Sequence, residues 1–389
     1  MTKKPYNKAK ELLVEASSDF GFLASANNIS NYKRVWARDG VICGLAALLD
    51  GDNTLVSTFK KTLITLADHQ HNLGHIPSNV YYGKSGVELS FGGLAGRVDT
   101  ISWFIIGVAN YVHFTGDTEF LDEMIPKINK GLWLLNAWEF NNNHLIYVPR
   151  SGNWADEYIT EGHTFYDQVL RLWALRTINH LTPKIEYQEK INIVTKKLVI
   201  NYKSGTHNNV FHPKAYSKMP ESKFWQASIT PSGYQNMFDA FGNSLAIFLE
   251  LGETSFRNKV IQYSEVLRKK LPLGLLPAFW DPIKKGDKQW DLLENNCKYE
   301  FRNYPFTFHN GGTWQMVNSF YGVSIVENNS INAQQVLSNI EALNEVEDYA
   351  FYENFNTKTK EPNGVPKCTW SASGQIMLSQ YLKGKKLLK

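Results

Sequence analysis

The sequence predicts an all-α fold, an (α/α)6 barrel of about twelve helices with long loops that form an active-site mouth. Apolar residues recur at helical spacing through most of the chain, whereas the alternation typical of strands is scarce. The predicted helices come in pairs joined by short turns, and longer polar and aromatic loops separate the pairs. This arrangement fits inner and outer rings of helices, with the long loops gathered at one end, since such loops are usually functional.

The individual helices are assigned from apolar residues at positions i, i+3, i+4 and i+7. They are expected at residues 6–17, 38–50, 54–70, 99–115, 118–138, 162–182, 186–203, 236–251, 254–270, 312–327, 331–346 and 369–383. The long loops are expected at residues 71–98, 141–161, 204–235, 271–311 and 347–368. The basic residues 383–389, KGKKLLK, are expected to form a frayed, solvated tail. Without an internal repeat or a low-complexity linker, residues 1–389 are predicted to form a single domain.

Composition and charge argue against several classes of partner. The 41 Lys and Arg residues against 37 Asp and Glu residues give a net charge of +4, which does not favour nucleic-acid binding. No run approaches the roughly 20 apolar residues that span a membrane, and residues 1–20 resemble an amphipathic helix more than a signal peptide. Cys43, Cys297 and Cys368 imply no disulfide framework. We expect a soluble, cytoplasmic protein without nucleic-acid or membrane partners, and its oligomeric state stays open, a homo-oligomer included.

Aromatic residues are unusually frequent, at 13% of the chain with 11 tryptophans. Many must lie in the core, because large aromatic side chains dominate burial energetics. The excess fits a protein that stacks sugar rings on aromatic planes. On composition alone, a small carbohydrate is a candidate ligand, and an aromatic core is the alternative explanation.

Residues 31–40, NYKRVWARDG, place Trp36, Arg38 and Asp39 at a predicted helix start. Asp39 can be an ordinary helix cap with a neighbouring arginine. Alternatively, its carboxylate and the Arg38 guanidinium bind vicinal sugar hydroxyls through charge-assisted hydrogen bonds, and Trp36 supplies a stacking plane. All three are candidate substrate-binding residues.

The glycine-rich segment FGGLAGRVDTISWF, residues 91–104, lacks the Gly-Lys-Ser/Thr of a phosphate loop. We interpret it as a tight loop that brings Arg97, Asp99 and Trp103 to the mouth. Asp99 can also cap the helix that follows, and the two roles are compatible.

Three histidines, His69, His71 and His75, lie close together in ADHQHNLGHIPSNV. A zinc site would need ligands on one face with suitable spacing, and no HExxH or comparable motif is present. No metal or other cofactor is expected.

The segment FHNGGTWQ, residues 308–315, makes a sharp turn into a helix and carries His309, Asn310 and Trp314. Its two glycines can let the backbone approach a ligand closely, or can only relieve a steep loop. Polar side chains bracketed by aromatic ones favour the first interpretation, so the three residues are candidate sugar contacts.

Near the end of the chain, Glu353 lies between Tyr352 and Phe355, in a loop that returns to the last helix at Trp370. Burial of a lone acid among aromatic residues would raise its pKa towards that of a useful general base. Trp370 is a further candidate for the sugar pocket.

The segment SGNWADEYITEGH, residues 151–163, concentrates Asp156, Glu157 and Glu161 beside Trp154. It can be a charged helix start or one wall of a sugar site. Paired with Glu353, an acid from this segment would give glycoside hydrolysis its two carboxyl groups. An apolar neighbour such as Trp154, itself a candidate substrate contact, would favour the protonated form of the acid.

In this order, these segments resemble the alkaline/neutral invertase family of glycoside hydrolases and, more distantly, the glycogen-debranching amylo-α-1,6-glucosidases. NYKRVWARDG is similar to the family's Arg-Asp segment, and GRVDTISWFIIG to its Gly-Arg-Val…Asp…Trp segment. FDAFGNSLAIFLELG, at residues 238–252, resembles its Gly-Asn helix. FHNGGTWQMV and FYENF…CTWSASG, the two most specific matches, resemble its His-Asn-Gly-Gly turn and its closing Glu…Thr-Trp-Ser segment.

The resemblance implies an (α/α)6-barrel glycoside hydrolase catalytic domain that acts on an α-glucosyl linkage by an inverting, metal-free mechanism. By the same resemblance, Asp156 matches the general acid and Glu353 the general base. Four further residues would line the sugar pocket: Asp39, Asp99, His309 and Trp370.

One departure from the family bears on the substrate. Where the invertases carry Asp-Arg-Arg-Met, this chain has Asp156-Glu157-Tyr158-Ile159, so a negative charge replaces two positive ones. Glu157 is therefore a further candidate substrate contact, with a role that the sequence leaves open.

Hydrolysis of sucrose or a related small oligosaccharide is the primary expectation, and release of α-1,6-linked glucose by a debranching-type α-glucosidase is the first alternative. A sugar epimerase or lyase and a non-catalytic sugar-binding barrel are the others. Inversion also predicts that the carboxyl groups of Asp156 and Glu353 lie roughly 6.5–9.5 Å apart, because a water molecule must fit between them and the sugar.

Overall fold

A computed structural model describes residues 3–205, 207–297 and 299–389, and the fold is mostly helical, as predicted. The helices are α1 (Lys3–Glu15), α2 (Ala37–Asp50), α3 (Asn53–Asp68), α4 (Asp99–Thr115), α5 (Thr118–Ala137), α6 (Phe165–Leu181), α7 (Ile185–Asn201), α8 (Pro213–Tyr216), α9 (Ala240–Phe248), α10 (Thr254–Lys270), α11 (Trp290–Glu294), α12 (Gln315–Ile325), α13 (Ser330–Tyr349) and α14 (Thr369–Tyr381). The strands are β1 (Ser17–Ser18), β2 (Gly21–Phe22), β3 (Val35–Trp36), β4 (Asn79–Gly83), β5 (Gly86–Ser90), β6 (His163–Thr164), β7 (Gln226–Thr230), β8 (Gly233–Asp239), β9 (Phe279–Trp280), β10 (Asn354–Phe355) and β11 (Pro362–Asn363).

Six helices pack side by side in a closed ring. Each contacts the next in the order α2, α4, α6, α9, α12, α14, and α14 returns to contact α2. These helices are buried along almost their whole length, as in α4 and α12. A helix that is apolar on every side must be covered on every side, and the run ISWFIIGVA in α4 therefore belongs to the inner ring.

A second layer of helices covers the ring from outside. Helices α3, α5, α7 and α13 each pack on the inner helix that precedes them in the chain, and α1 packs on α14. Their buried residues follow one face, as Leu55, Phe59, Leu63 and Leu66 do in α3. Short connections therefore join inner to outer helices, as the alternation of loop lengths predicts.

Short antiparallel sheets lie in the long connections, and they correct the all-α expectation. One sheet has the order β3-β4-β5 and another the order β6-β7-β8-β9. The latter shortens the helix expected at residues 236–251, since β8 pairs with β7 and β9 up to Asp239. The Asp239 carboxylate then accepts hydrogen bonds from the backbone N–H groups of Phe241 and Gly242, at 3.0 and 3.1 Å, and starts α9. The other predicted helices match within three residues at each end.

The predicted solvated tail is wrong, because residues 385–389 close the end of the ring at which the inner helices terminate. Leu387 and Leu388 are buried. The Lys385 ammonium donates to the Leu49 carbonyl at the end of α2, and Lys389 donates to the Phe248 carbonyl at the end of α9. Cations at helix C-termini are favourable, because the unpaired carbonyls there carry partial negative charge.

Hydrogen bonds tie the backbone of this tail to three more inner helices. The Leu388 N–H donates to Asn110 Oδ1 of α4 at 2.9 Å, and the Leu388 carbonyl accepts from Trp173 Nε1 of α6 at 2.9 Å. The Leu387 N–H donates to the Tyr381 hydroxyl oxygen of α14 at 2.8 Å. The docking of the tail was not predictable from composition. A lysine-rich segment is normally solvated, and here it docks because the C-terminal ends of several inner helices converge on it.

None of the helices in the described part of the chain is long and apolar enough to cross a membrane.

We expect Leu388→Ala to lower the free energy of unfolding by about 2 kcal/mol, since it removes a buried side chain between the helix ends. Chemical denaturation followed by circular dichroism measures this value. Lys386→Ala is the matched control, because Lys386 and its partner Glu327 are both exposed and such pairs contribute little. Equal stability of wild type and Leu388→Ala would show that the tail does not hold the ring.

Candidate active site

The candidate site lies where the inner helices begin. Arg38 is the second residue of α2, Asp99 is the first residue of α4, and Trp370 is the second residue of α14. The loops before α6 and α14 carry Asp156 and Glu353. The ring therefore brings segments together that are distant in sequence.

At the floor of the site, Arg38 and Asp99 form a buried ion pair with 2.6 Å between Nη1 and Oδ2. The Tyr166 hydroxyl donates to the same carboxylate oxygen at 3.0 Å, and Trp103 Nε1 donates to the Tyr166 oxygen at 2.9 Å. Trp103 has no exposed surface and packs against Trp173. Trp103 was predicted to contact the substrate, and this prediction is corrected because the inner helices bury the whole side chain. Trp103 instead supports Asp99 through the Tyr166 hydroxyl.

Several buried polar atoms at this floor have no hydrogen-bond partner among the described residues. They are Arg38 Nε, Asp99 Oδ1, His309 Nδ1, Glu353 Oε2 and Trp370 Nε1. Each unpaired buried donor or acceptor costs about 1–3 kcal/mol. Hydroxyl groups of a bound sugar, which donate and accept, are suited to satisfy them.

Asp39 is buried beside this cluster, and its pKa is raised to about 6. Burial is the main cause, and the Arg38 guanidinium opposes it. Asp39 is therefore an acceptor whose charge the neighbouring arginine stabilises. Trp36 is half-buried at the edge of the site, where its Nε1 donates to the Asn31 carbonyl at 3.0 Å.

Aromatic side chains form one wall. The His309 ring stacks on Trp314 with 4.9 Å between centroids, and Trp314 meets the Trp370 ring edge-on at 5.6 Å. Trp154 lies behind His309 at 5.0 Å. Burial lowers the pKa of His309 to about 4, so its imidazole is neutral at neutral pH. In this form it can donate one hydrogen bond and accept one, but it carries no charge. The Arg38 guanidinium carbon lies 5.7 Å from the centre of the Trp370 ring.

The Gly-Gly turn before α12 serves the loop itself, and Asn310 does not face the pocket. The Asn310 side chain accepts from the Ile283 N–H at 2.7 Å and donates to the carbonyls of Ile283 and Asn303 at 2.8 and 3.0 Å. A Cβ on Gly312 would lie 2.4 Å from the Phe308 carbonyl oxygen. Asn310 was predicted to contact the substrate, and this prediction is corrected. Its side-chain oxygen and nitrogen already form hydrogen bonds with the backbone, so Asn310 holds the loop in place.

Asp156 is held by Arg97. Arg97 Nη2 lies 2.7 Å from Asp156 Oδ2, and Arg97 Nη1 donates to the carbonyls of Gly96 and Ser151 at 3.1 and 2.6 Å. Arg97, predicted as a substrate contact, thus positions the predicted acid. The Asp156 side chain is still 36% exposed, towards the mouth.

The electrostatics of Asp156 differ from the expectation that Trp154 keeps it protonated. Burial raises its pKa, but the charges of Arg97 and Arg38 and the hydrogen bond from Arg97 oppose burial, and the net pKa lies below the ordinary value. The charge of Arg97 therefore dominates over the apolar neighbour. Asp156 is a carboxylate at neutral pH in the free protein.

Glu353 has the opposite environment. Its pKa is raised to about 7, chiefly by burial, and the hydrogen bond from the Tyr32 hydroxyl to Oε1, at 2.7 Å, lowers it. The charges of Asp39 and Asp156 raise it further, so the three carboxyl groups act on one another. Of these three carboxyl groups, Glu353 therefore has the highest pKa, followed by Asp39, whereas the pKa of Asp156 is lowered.

Three residues that hold the site were missed by the sequence analysis. Tyr32, which donates a hydrogen bond to Glu353, lies in the same segment as Trp36. Its position in that segment could have identified it as a site residue. Gly364 has a φ of +76°, and a Cβ at this position would lie 2.2 Å from Glu353 Oε2, so its place in the turn Pro-Asn-Gly was also a signal. Arg302, with Nη2 at 3.5 Å from Glu157 Oε1, carried no local signal.

Across the described residues, no group of three or more His, Cys, Asp or Glu side chains is arranged to hold a metal ion. Of the three histidines considered for zinc, His75 Nε2 hydrogen-bonds the Arg97 carbonyl at 2.7 Å and His69 Nδ1 the Thr65 carbonyl at 2.9 Å. His75 therefore contacts the loop backbone before α4, and His69 contacts the last turn of α3.

Solved structures show where this fold occurs. A GH63 mannosylglycerate hydrolase from Thermus thermophilus, in complex with glucose, superposes with a TM-score of 0.72 at 14% identity, over 96% of this chain and 99% of that one. A bacterial glucoamylase complexed with acarbose has a TM-score of 0.66 at 16% identity, over 99% of this chain and 56% of that one. A rhamnosidase from Klebsiella oxytoca with rhamnose bound has a TM-score of 0.62 at 13% identity, over 98% and 64%. At these identities the likeness shows the fold alone.

Sequence comparison gives the family. No curated protein matches the chain in sequence. The sequence model described as alkaline and neutral invertase matches residues 10–208, just over half of the chain, and this range includes Arg38, Asp99 and Asp156. The chain therefore belongs to the alkaline and neutral invertase family of glycoside hydrolases, as the motifs predicted.

Proposed function

We propose that this protein is an inverting glycoside hydrolase that cleaves an α-glucosyl linkage of a small oligosaccharide, sucrose or a related sugar. One observation carries the proposal. Asp156 precedes α6 and Glu353 precedes α14, and these two helices are separated by two others in either direction around the ring. Carboxyl groups that approach from opposite sides leave room for the sugar and for the attacking water, as inversion requires.

The same ring supports the remaining parts of the proposal. The closed cycle of inner contacts and the outer layer support a single (α/α)6-barrel catalytic domain. A glucosyl unit is supported by the solved structures of similar fold, since the mannosylglycerate hydrolase structure contains glucose. The buried, unpaired polar atoms around Arg38, Asp99 and Trp370 would bind its hydroxyls.

In the reaction, Asp156 would donate its proton to the glycosidic oxygen while Glu353 takes a proton from the attacking water. The free protein holds this proton mainly on Glu353, because Arg97 favours the ionised form of Asp156. A substrate that covers the exposed side of Asp156 removes solvent from it and raises its pKa. Substrate binding would therefore move the shared proton towards the acid.

The two roles can be separated with α-glucosyl fluoride, whose leaving group needs no proton. We expect Asp156→Asn to lower kcat on a disaccharide about a thousandfold and on the fluoride far less. Glu353→Gln should lower both about a thousandfold, because both substrates need the base. Steady-state kinetics measure these values, and the reverse pattern would exchange the two roles.

The pH dependence follows from the shared proton. We expect kcat/KM to fall as pH rises through about 7, because the carboxyl pair then loses its one proton. Tyr32→Phe removes a hydrogen bond that stabilises the charged form of Glu353, so its pKa should rise and the alkaline limb should move to higher pH. Tyr187→Phe, which alters an exposed hydroxyl, is the control. If the alkaline limb of the kcat/KM profile stayed at the same pH in Tyr32→Phe, its assignment to Glu353 would be contradicted.

A substrate panel tests the proposal as a whole. We expect hydrolysis of sucrose, isomaltose or both, with β-glucose as the first product in the NMR spectrum, since inversion converts an α-linkage into a β-anomer. A higher kcat/KM on isomaltose and limit dextrin than on sucrose would favour the α-1,6-glucosidase alternative. Release of α-glucose, or no turnover of any α-glucoside, would contradict the proposed function.

A further inference from the structure

One charged pair lies at the rim of the site, directly beside the predicted acid. Glu157 follows Asp156 in the chain, and Arg302 approaches it from the segment between α11 and α12. The side chains of Glu157 and Arg302 are 24% and 39% exposed, whereas those of Arg38 and Asp99 at the floor are 0–9% exposed. The pair therefore lies nearer to solvent than the floor. If the glucosyl unit binds at the floor, the leaving group extends towards this pair.

The backbone that presents this pair is fixed on both sides. Asn303 Nδ2 donates to the Glu157 carbonyl at 2.9 Å, and Asn303 Oδ1 accepts from the His309 N–H at 3.0 Å. Thr307 Oγ1 donates to the Arg302 carbonyl at 2.7 Å. The segment that carries Arg302 is thus joined to the segment that carries the acid and to the wall of the pocket.

The two charged side chains themselves are not saturated. The 3.5 Å between Arg302 Nη2 and Glu157 Oε1 is long for a charge-assisted hydrogen bond, which is usually about 2.7–2.9 Å. Arg302 Nε is buried without a hydrogen-bond partner among the described residues. The pair therefore has donor and acceptor capacity left for a third group.

The charge of Arg302 also acts on the groups around the site. Burial is the largest influence on the pKa values of Glu353, Glu157 and His309, and it leaves those of the two glutamates raised. The positive charge of Arg302 acts on all three groups in the downward direction. The guanidinium carbon lies 5.5 Å from the centre of the Phe308 ring, which fixes its direction along the wall.

Resting on the proposed function, we infer that Glu157 and Arg302 bind the leaving group and select a neutral, polyhydroxylated one. Adjacent hydroxyls of a second sugar can donate to the Glu157 carboxylate and accept from the Arg302 guanidinium. A leaving group with its own carboxylate would meet the negative charge of Glu157 and would be rejected. Arg302 is thus a specificity-determining residue.

The test compares two substrates with the same glucosyl unit. Sucrose or isomaltose, whichever the wild type hydrolyses faster, has a neutral leaving group, and glucosylglycerate has an acidic one. We expect Glu157→Gln to lower the ratio of kcat/KM for the neutral over the acidic substrate at least tenfold. Arg302→Gln should lower the ratio of kcat/KM for the disaccharide over α-glucosyl fluoride at least fivefold, mainly through KM.

Glu161→Gln is the matched control, because Glu161 belongs to the same segment and pairs with Arg150 at 2.8 Å. It should move neither ratio. Thermal unfolding midpoints identify any variant that fails to fold, and competitive inhibition of the wild type by free fructose, glucose and glycerate gives the same ranking without substitution. Unchanged ratios together with equal inhibition by the three compounds would overturn this inference alone. No hydrolysis of the fluoride or of any disaccharide by the wild type would overturn the proposed function and this inference with it.

Discussion

The common direction of the six inner helices is the constraint on which the rest of the structure depends. Because each helix begins at the same end of the ring, six positive helix ends converge there, and the buried acids Asp39, Asp99 and Asp239 lie at those ends. The negative ends converge on the opposite side, where Lys385 and Lys389 meet backbone carbonyls. The parallel alignment of the inner helices thus favours anionic groups at one end of the ring and cationic groups at the other.

Within this field, arginines decide what each carboxyl group can do. Arg38 forms an ion pair with Asp99 at the floor, and Arg97 keeps Asp156 ionised, whereas Glu353 accepts a hydrogen bond from the Tyr32 hydroxyl and has a pKa that burial raises. The pKa values of Asp156 and Glu353, two carboxyl groups of similar intrinsic acidity, are therefore shifted in opposite directions. This separation is what acid–base chemistry needs, although the free protein places the proton on the group opposite to the proposed donor.

The loops between the helices contribute in a different way from the ring. They are held by hydrogen bonds to side chains such as Asn303 and Asn310, and they bring together charges that have no relation in sequence. Glu157 and Arg302 are separated by 145 positions, yet they form one wall of the mouth. Differences in specificity between proteins that share this ring are therefore expected to come from pairs of loops.

The sequence by itself determined the helices, their pairing and the segments that meet at the site, because apolar periodicity and helix punctuation are local signals. It also identified the family through short motifs, of which the His-Asn-Gly-Gly turn and the segment around Glu353 were the most specific. Only the tertiary structure decided that Trp103 and Asn310 support the site from behind, that Arg97 holds Asp156, and that Leu387 and Leu388 of the basic tail are buried. Burial, charge pairing and the convergence of helix ends arise from distant parts of the chain, and no local pattern encodes them.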